Sequence, residues 1–352
     1  MSFRDYWSVG PSNDNLVPAH GRPINVMIKK DDDTIITGSQ DHGAKVIRVS
    51  KAKVERELYT KNYGHKEWVT SLAYSEPSDK IITGGMDSKL CVWDTKGSVK
   101  CVDLNGHTGS ISQVTCSPHI PIAVSSSYDK SLKVWSLENN SCMNTLINTK
   151  LGHDKAIRTF LWNNSLVCSG GRDGLVCMWD IQTGDLISVG DEHRAPVQCI
   201  VADDARDVIM SGGMDGTLQV WDLRTATNTG GVENAIKGSI NDVKMANDGN
   251  MVVVAGSDKT IKLLDPRKNY AQITCLKDHE DVIIQMQVVD DLLFSCGGNG
   301  WVLVHDLAEN GKCRYGVGAS ETKSACNCIQ ILEPNYFCAA GDDGNVIIFE
   351  SK

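Results

Sequence analysis

No apolar run in this chain approaches the roughly 18 residues of a membrane span. The opening "MSFRDYWSVG" has no basic stretch leading into an apolar one, so no signal peptide is expected. Blocks of Lys and Arg are also missing, and the formal net charge is −9. Such a surface repels phosphate backbones, which disfavours nucleic acid and makes basic peptides or basic protein faces the expected company. Neither G-x-x-x-x-G-K-[ST] nor H-E-x-x-H occurs, and Cys326-x-Cys328 is spaced too tightly for a zinc knuckle. No cofactor or metal is therefore expected. Prolines number only 9 against 32 glycines, which excludes a proline-rich linker and points to many tight turns.

What is present is a packable composition, 41% apolar and 22% charged. The 13 cysteines, an odd number, mostly interrupt apolar strand-like runs, as at Cys168, Cys199 and Cys296. They read as small buried hydrophobes in a reducing compartment, the cytosol being the expected address with the nucleus open. Length alone would give two domains; a repeat array can use all 352 residues in one.

The repeat is plain. "SGGRDGLVCMWDIQ" from Ser169 returns as "SGGMDGTLQVWDLR" from Ser211, and the same grammar is written eight times. An apolar run and one or two small residues lead to a turn acid, and after five intervening residues comes Trp-Asp or a substitute. The turn residues are Asp41, Asp87, Asp129, Asp173, Asp215, Asp258, Asn299 and Asp343, spaced by 46, 42, 44, 42, 43, 41 and 44. Each joins two short β-branched runs, a hairpin signature. A histidine usually precedes it, at His20, His65, His107, His153, His193 and His279, and is followed by another short strand. Four strands per unit make one small antiparallel sheet whose faces can be covered only by its neighbours.

With Gly-His at 64–65, 106–107 and 152–153 and Trp-Asp at 93–94, 179–180 and 221–222, the chain resembles the WD-repeat (WD40) family over essentially its whole length. The resemblance implies an all-β propeller, one unit spanning 1–352. Eight turn residues argue for eight blades of four antiparallel strands, with seven, the commoner number, as the alternative. The last unit stops at its third strand, so residues 2–9, "SFRDYWSV", are expected to supply its outer strand and close the ring.

Four units gather His, Ser or Thr, Asp and Trp: His65/Thr83/Asp87/Trp93, His107/Ser125/Asp129/Trp135, His153/Ser169/Asp173/Trp179 and His193/Ser211/Asp215/Trp221. A catalytic triad is needed once, beside an oxyanion hole; a fourfold repeat reads as architecture. The family resemblance implies a hydrogen-bonded tetrad in which Asp orients His, and Ser or Thr links it to the indole N–H. The other units depart from it: Ile236, Val254 and Leu264 in the sixth, Asn299 and His305 in the seventh, Ala339 and Phe349 in the eighth, and no Trp in the first. Units two to five should form the rigid arc, with six to eight leaning on apolar packing.

The expected function is accordingly a non-enzymatic scaffold or adaptor. In proteins resembling this one, partners bind the face carrying the hairpin turns. Trp68, Met86, Tyr128, Arg158, Arg172, Met214 and Asp342 are the residues placed to ring its mouth. Two further roles stay open. Arg224 after Trp221-Asp222 and Arg267 after Leu264-Asp265 resemble the box by which substrate receptors of cullin-4 ubiquitin ligases touch the ligase adaptor. Acidic propellers of this size also act as chaperones for basic ribosomal proteins. The stretches 225–233 and 310–324 read as the longest irregular segments.

Overall fold

The computed structural model describes residues 3–7 and 9–351. It contains eight four-stranded antiparallel sheets, and seven of them use consecutive strands. The innermost strands begin at Ile24, Val69, Ile111, Ile157, Val197, Ile240, Ile283 and Cys326. Each packs beside the next, and the eighth returns to the first, so the sheets form a closed eight-bladed propeller.

Closure follows from the eighth sheet, whose outer strand comes from the other end of the chain. Asn13–Pro18 pairs antiparallel with Asn345–Glu350, from Asn13 opposite Glu350 to Pro18 opposite Asn345. The closing strand is thus N-terminal but is not residues 2–9. Phe3–Tyr6 is a short helix, and Ser2 and Ser8 lie outside the described residues. The reason is visible in the spacing: Phe3 and Trp7, four apart, fall on one side of a helical turn and are both buried. Their rings meet Phe294, and Trp7 also meets Phe337, beneath the seventh and eighth blades.

The Gly-Gly doublets have a packing role. A Cβ on Gly84 would stand 2.6 Å from Ile111 Cγ2, and one on Gly212 would stand 2.6 Å from Ile240 Cγ2. The first glycine therefore admits the leading apolar residue of the next blade. The second admits a ring, since a side chain at Gly85, Gly171 or Gly213 would strike His65, His153 or His193. Both stretches read as irregular contain outer strands, Thr227–Val232 and Lys312–Gly318. They are half-exposed edges, and paired Gly230 and Gly231 hide the first one's alternation.

Candidate functional site

Each tetrad is a directed chain. In the second blade His65 Nδ1 lies 2.8 Å from Asp87, His65 Nε2 lies 2.7 Å from Thr83 Oγ1, and Trp93 Nε1 donates to that hydroxyl at 3.1 Å. The carboxylate can only accept, so Nδ1 carries the hydrogen, Nε2 accepts from the hydroxyl, and the hydroxyl accepts from the indole. The chain repeats through His107, Ser125 and Trp135, through His153, Ser169 and Trp179, and through His193, Ser211 and Trp221, with Nε2–hydroxyl distances of 2.8 Å. Asp129, Asp173 and Asp215 hold the Nδ1 atoms at 2.7, 3.0 and 3.3 Å. Every one of these hydroxyls is fully buried and committed to an indole, which is the geometry of a brace.

Elsewhere the braces are incomplete. The first blade keeps His20, with Asp41 at 2.8 Å and Thr37 at 2.9 Å. Burial alone would raise the Asp41 carboxyl; its hydrogen bond and charge interaction with His20 outweigh that and hold it at about 2. The sixth blade substitutes apolar groups throughout, with Ile236, Val254 and Leu264 all buried. In the seventh, His279 reaches Ser295 at 2.8 Å, but with Asn299 in the acid position its buried Nδ1 has no partner.

That seventh site sets an acid-sensitive point. Burial, and then the charge of the His305 ring, push His279 down to about 4, against a weaker pull upward from Asp278. A histidine whose folded pKa lies below its unfolded value of about 6.5 takes up protons on unfolding. Stability should fall by about 3 kcal/mol as pH drops from ~6.5 to ~4, and then level for this group. Asn299→Asp would supply the missing acceptor and flatten that slope. Denaturant melts at several pH values check this, and parallel curves for the two proteins would refute it.

The rim is built by a second repeating bond. The residue before each turn acid donates its N–H to the carbonyl just ahead of the inner strand. Met86 is thus tied to Trp68 at 2.9 Å, Tyr128 to Ser110 at 2.9 Å, Arg172 to Ala156 at 2.8 Å, Met214 to Pro196 at 2.9 Å and Asp342 to Ala325 at 3.0 Å. These pairs stand side by side at the mouth of the channel. Trp68, Met86, Tyr128 and Met214 are 38%, 43%, 43% and 47% exposed. The Arg172 guanidinium lies 5.5 Å from the Tyr128 ring centre, and Arg158 is exposed on the adjoining inner strand. A cavity of about 410 Å³ opens beside them, lined by Thr70, Met86, Ser110, Ser112, Tyr128 and Arg158, with Trp68, Arg172 and Met214 outside its lining.

Arg224 and Arg267 occupy equivalent loops of adjacent blades on the opposite face. They are 70% and 61% exposed, each bonded back to its own Asp222 or Asp265 at 3.0 and 3.1 Å. Sequence reasoning missed one side-chain cluster. Cys91 and Cys101 donate to Asp103 Oδ1 at 3.5 and 3.4 Å, while Lys89 takes the other oxygen at 2.6 Å. Among the described residues these are the only three such ligand atoms within 4.8 Å of one another. Only the register, with Cys91 opposite Asp103, could have disclosed it.

An eight-bladed ring braced by His–Ser/Thr–Trp chains defines a class, the WD-type propellers. The family described as "WD domain, G-beta repeat" matches residues 56–94, 98–136, 141–180, 184–222 and 232–265, more than half of the chain. The chain belongs to the WD40 family. It is 28% identical over 191 residues to Autophagy-related protein 16 of Arabidopsis thaliana, covering 53% of this chain and 36% of that protein. The chain thus spans little more than a third of that relative's length. It is 24% identical over 310 residues to the Ribosome biogenesis protein WDR12 homolog of Nematostella vectensis, covering 75% and 72%. The crystal structure of the computationally designed Ika8 protein superposes with a TM-score of 0.81 at 22% identity, over 95% of this chain and 98% of that one, a likeness of fold. Among the described residues no helix is long and apolar enough to cross a membrane.

Proposed function

We propose that this protein is a non-catalytic interaction platform that docks a peptide or protein domain on the face bearing its hairpin turns. The observation that carries this reading is the arc of exposed Trp68, Met86, Tyr128 and Met214, two of which, Met86 and Tyr128, line a formed cavity, on a scaffold whose rim is fixed by backbone bonds. Aromatic and Met side chains held by a rigid frame give contact area at low ordering cost, the make-up of interface anchors. The buried hydroxyls of the tetrads support the same reading, because each already serves an indole. The names of the WD40 relatives, in autophagy and ribosome biogenesis, are consistent with a scaffold.

Affinity capture from lysate with the double variant Trp68→Ala/Tyr128→Ala tests it. Truncating two anchors should weaken the principal partner by about thirtyfold to a thousandfold, from roughly 2–4 kcal/mol of lost contact, without shifting the melting temperature by more than a few degrees. Unchanged capture would move the docking site elsewhere. Retention by that variant together with loss in Arg224→Ala/Arg267→Ala would favour the ligase-receptor role on the opposite face.

A further inference from the structure

We infer that the mouth of the channel is a carboxylate clamp, and that the partner docks an acidic peptide segment, Asp or Glu beside an apolar residue, on Arg158 and Arg172. This rests on the platform reading and specifies its partner. Net charge pointed the other way, toward basic company, and its distribution is what decides. Acids crowd the opposite face, in the loops after the inner strands: Asp31, Asp32 and Asp33; Asp203, Asp204 and Asp207; Asp290 and Asp291. At the mouth, in blades two to six, the side chains lining the ring carry two charges, and both are guanidinium.

A break in the blade-to-blade bonding marks the same place. The second residue of the inner strand commonly bonds across to the next blade. Asn25 donates to the Val69 carbonyl at 2.9 Å, Thr70 to Ile111 at 2.7 Å and Ser112 to Ile157 at 2.6 Å. Asn241 donates to Ile283 at 2.7 Å and Asn327 to Ile24 at 3.0 Å. The fifth and seventh blades, with Gln198 and Ile284 here, make no such bond among the described residues, and in the fourth blade the position is Arg158, the one charged residue of the eight. It makes no hydrogen bond or ion pair among the described residues, and it is exposed. Of the three blades without this brace, the fourth is the one that puts a long cation into the lining of the cavity.

Arg172 is prepared in another way. Its guanidinium lies over the Tyr128 ring at 5.5 Å, a cation–π contact that leaves its N–H groups available, and it makes no ion pair among the described residues. Two such guanidiniums beside apolar Met86 and Tyr128 fit a carboxylate with an apolar neighbour. Across the mouth stand Asp281 and Asp342, the latter held by Asn327 at 2.7 Å. They repel a second acid there, so the acidic part of the partner lies over blade four and points away from blades seven and eight. Of the other carboxylates on this face, Glu67 and Asp154 lie next to Lys66 and Lys155, and Asp191, Glu192, Asp278, Glu280 and Glu321 stand in the loops that lead into blades five, seven and eight.

Selection of a random peptide display library on the full chain tests the inference. Enriched peptides should carry Asp or Glu next to an apolar residue and bind at least about tenfold more weakly to Arg158→Glu/Arg172→Glu, with preference inverted toward Lys and Arg. Raising salt from ~0.05 to ~0.3 M should weaken them as well. Both arginines are exposed, so the variant should melt as the wild type does; Arg158→Gln/Arg172→Gln, which adds no repulsion, should show the loss without the inversion. Basic or neutral enriched peptides, or acidic ones indifferent to both variants, would overturn the clamp. Peptides lost on Tyr128→Ala but kept by the arginine variants would leave the platform reading standing alone. Enrichment insensitive to every rim change, or none at all, would remove both. A single-stranded RNA oligonucleotide bound through Arg158 would assign the cations to phosphate and also overturn the inference.

Discussion

Replacing Trp7 by Ala should lower the free energy of unfolding by about 3–5 kcal/mol, the range for emptying a large aromatic site that cannot collapse. Trp7 is fully buried, with its ring centre 5.0 Å from that of Phe337 and 6.2 Å from those of Phe3 and Phe294. Its indole N–H donates to the Pro334 carbonyl at 3.0 Å. Arg4 adds two bonds to the buried Asp306 carboxylate, at 3.0 and 2.8 Å, which Arg314 also grips at 2.6 Å. Residues 3–7 thus act as a wedge under blades seven and eight, separate from the strand that closes the ring. Deleting residues 1–10 should cost little more than Trp7→Ala. Deleting 1–18, which removes the closing strand, should leave no cooperative transition. Denaturant titration distinguishes them, and a harmless 1–10 deletion would refute the wedge.

Ser169→Ala should cost about 2–4 kcal/mol, far beyond an ordinary loss of one hydroxyl. Ser169 is the acceptor for Trp179 at 2.9 Å and the neighbour of His153 Nε2 at 2.8 Å, all inside a site closed to water. Its removal strands two buried polar atoms, each costing roughly 1–3 kcal/mol. Blade eight shows the remedy, because it uses Ala339 and Phe349 at the same positions and needs no hydroxyl. Adding Trp179→Phe to Ser169→Ala should recover part of the loss, leaving only His153 without its partner. A double variant less stable than Ser169→Ala would contradict the directed chain.

How much of this was legible follows from which interactions repeat. The turn residues, the histidines and the tetrads recur because most blades satisfy the same buried groups, so one sequence reports the turn eight times, the histidine six and the complete tetrad four. Blade number came with them. The closing strand did not, since an edge strand buries little: in "NDNLVP" only Val17 is covered, and Asn, Asp and Pro disguise it. Aromatic-rich "SFRDYWSV" resembled a strand by composition, whereas the four-residue interval from Phe3 to Trp7 was the better guide. At the rim, Met86 and Tyr128 could be placed from the hairpin register alone. That Arg158 stands where five other blades put a bracing Asn, Thr or Ser required the blade-to-blade bonds, which join residues more than 40 positions apart. Local pattern does not carry such pairings.

The buried tetrads hold the wheel together while the rim meets a partner, and one paired measurement tests that separation. Ser169→Ala and Trp68→Ala/Tyr128→Ala are compared with the unmodified chain for thermal midpoint and for partner capture, at a temperature where all three are folded. The tetrad variant should melt earlier and capture the same partner; the rim variant should melt with the unmodified chain and lose it. Capture lost with the buried serine but kept without the two rim aromatics would place the function inside the blades and contradict the account.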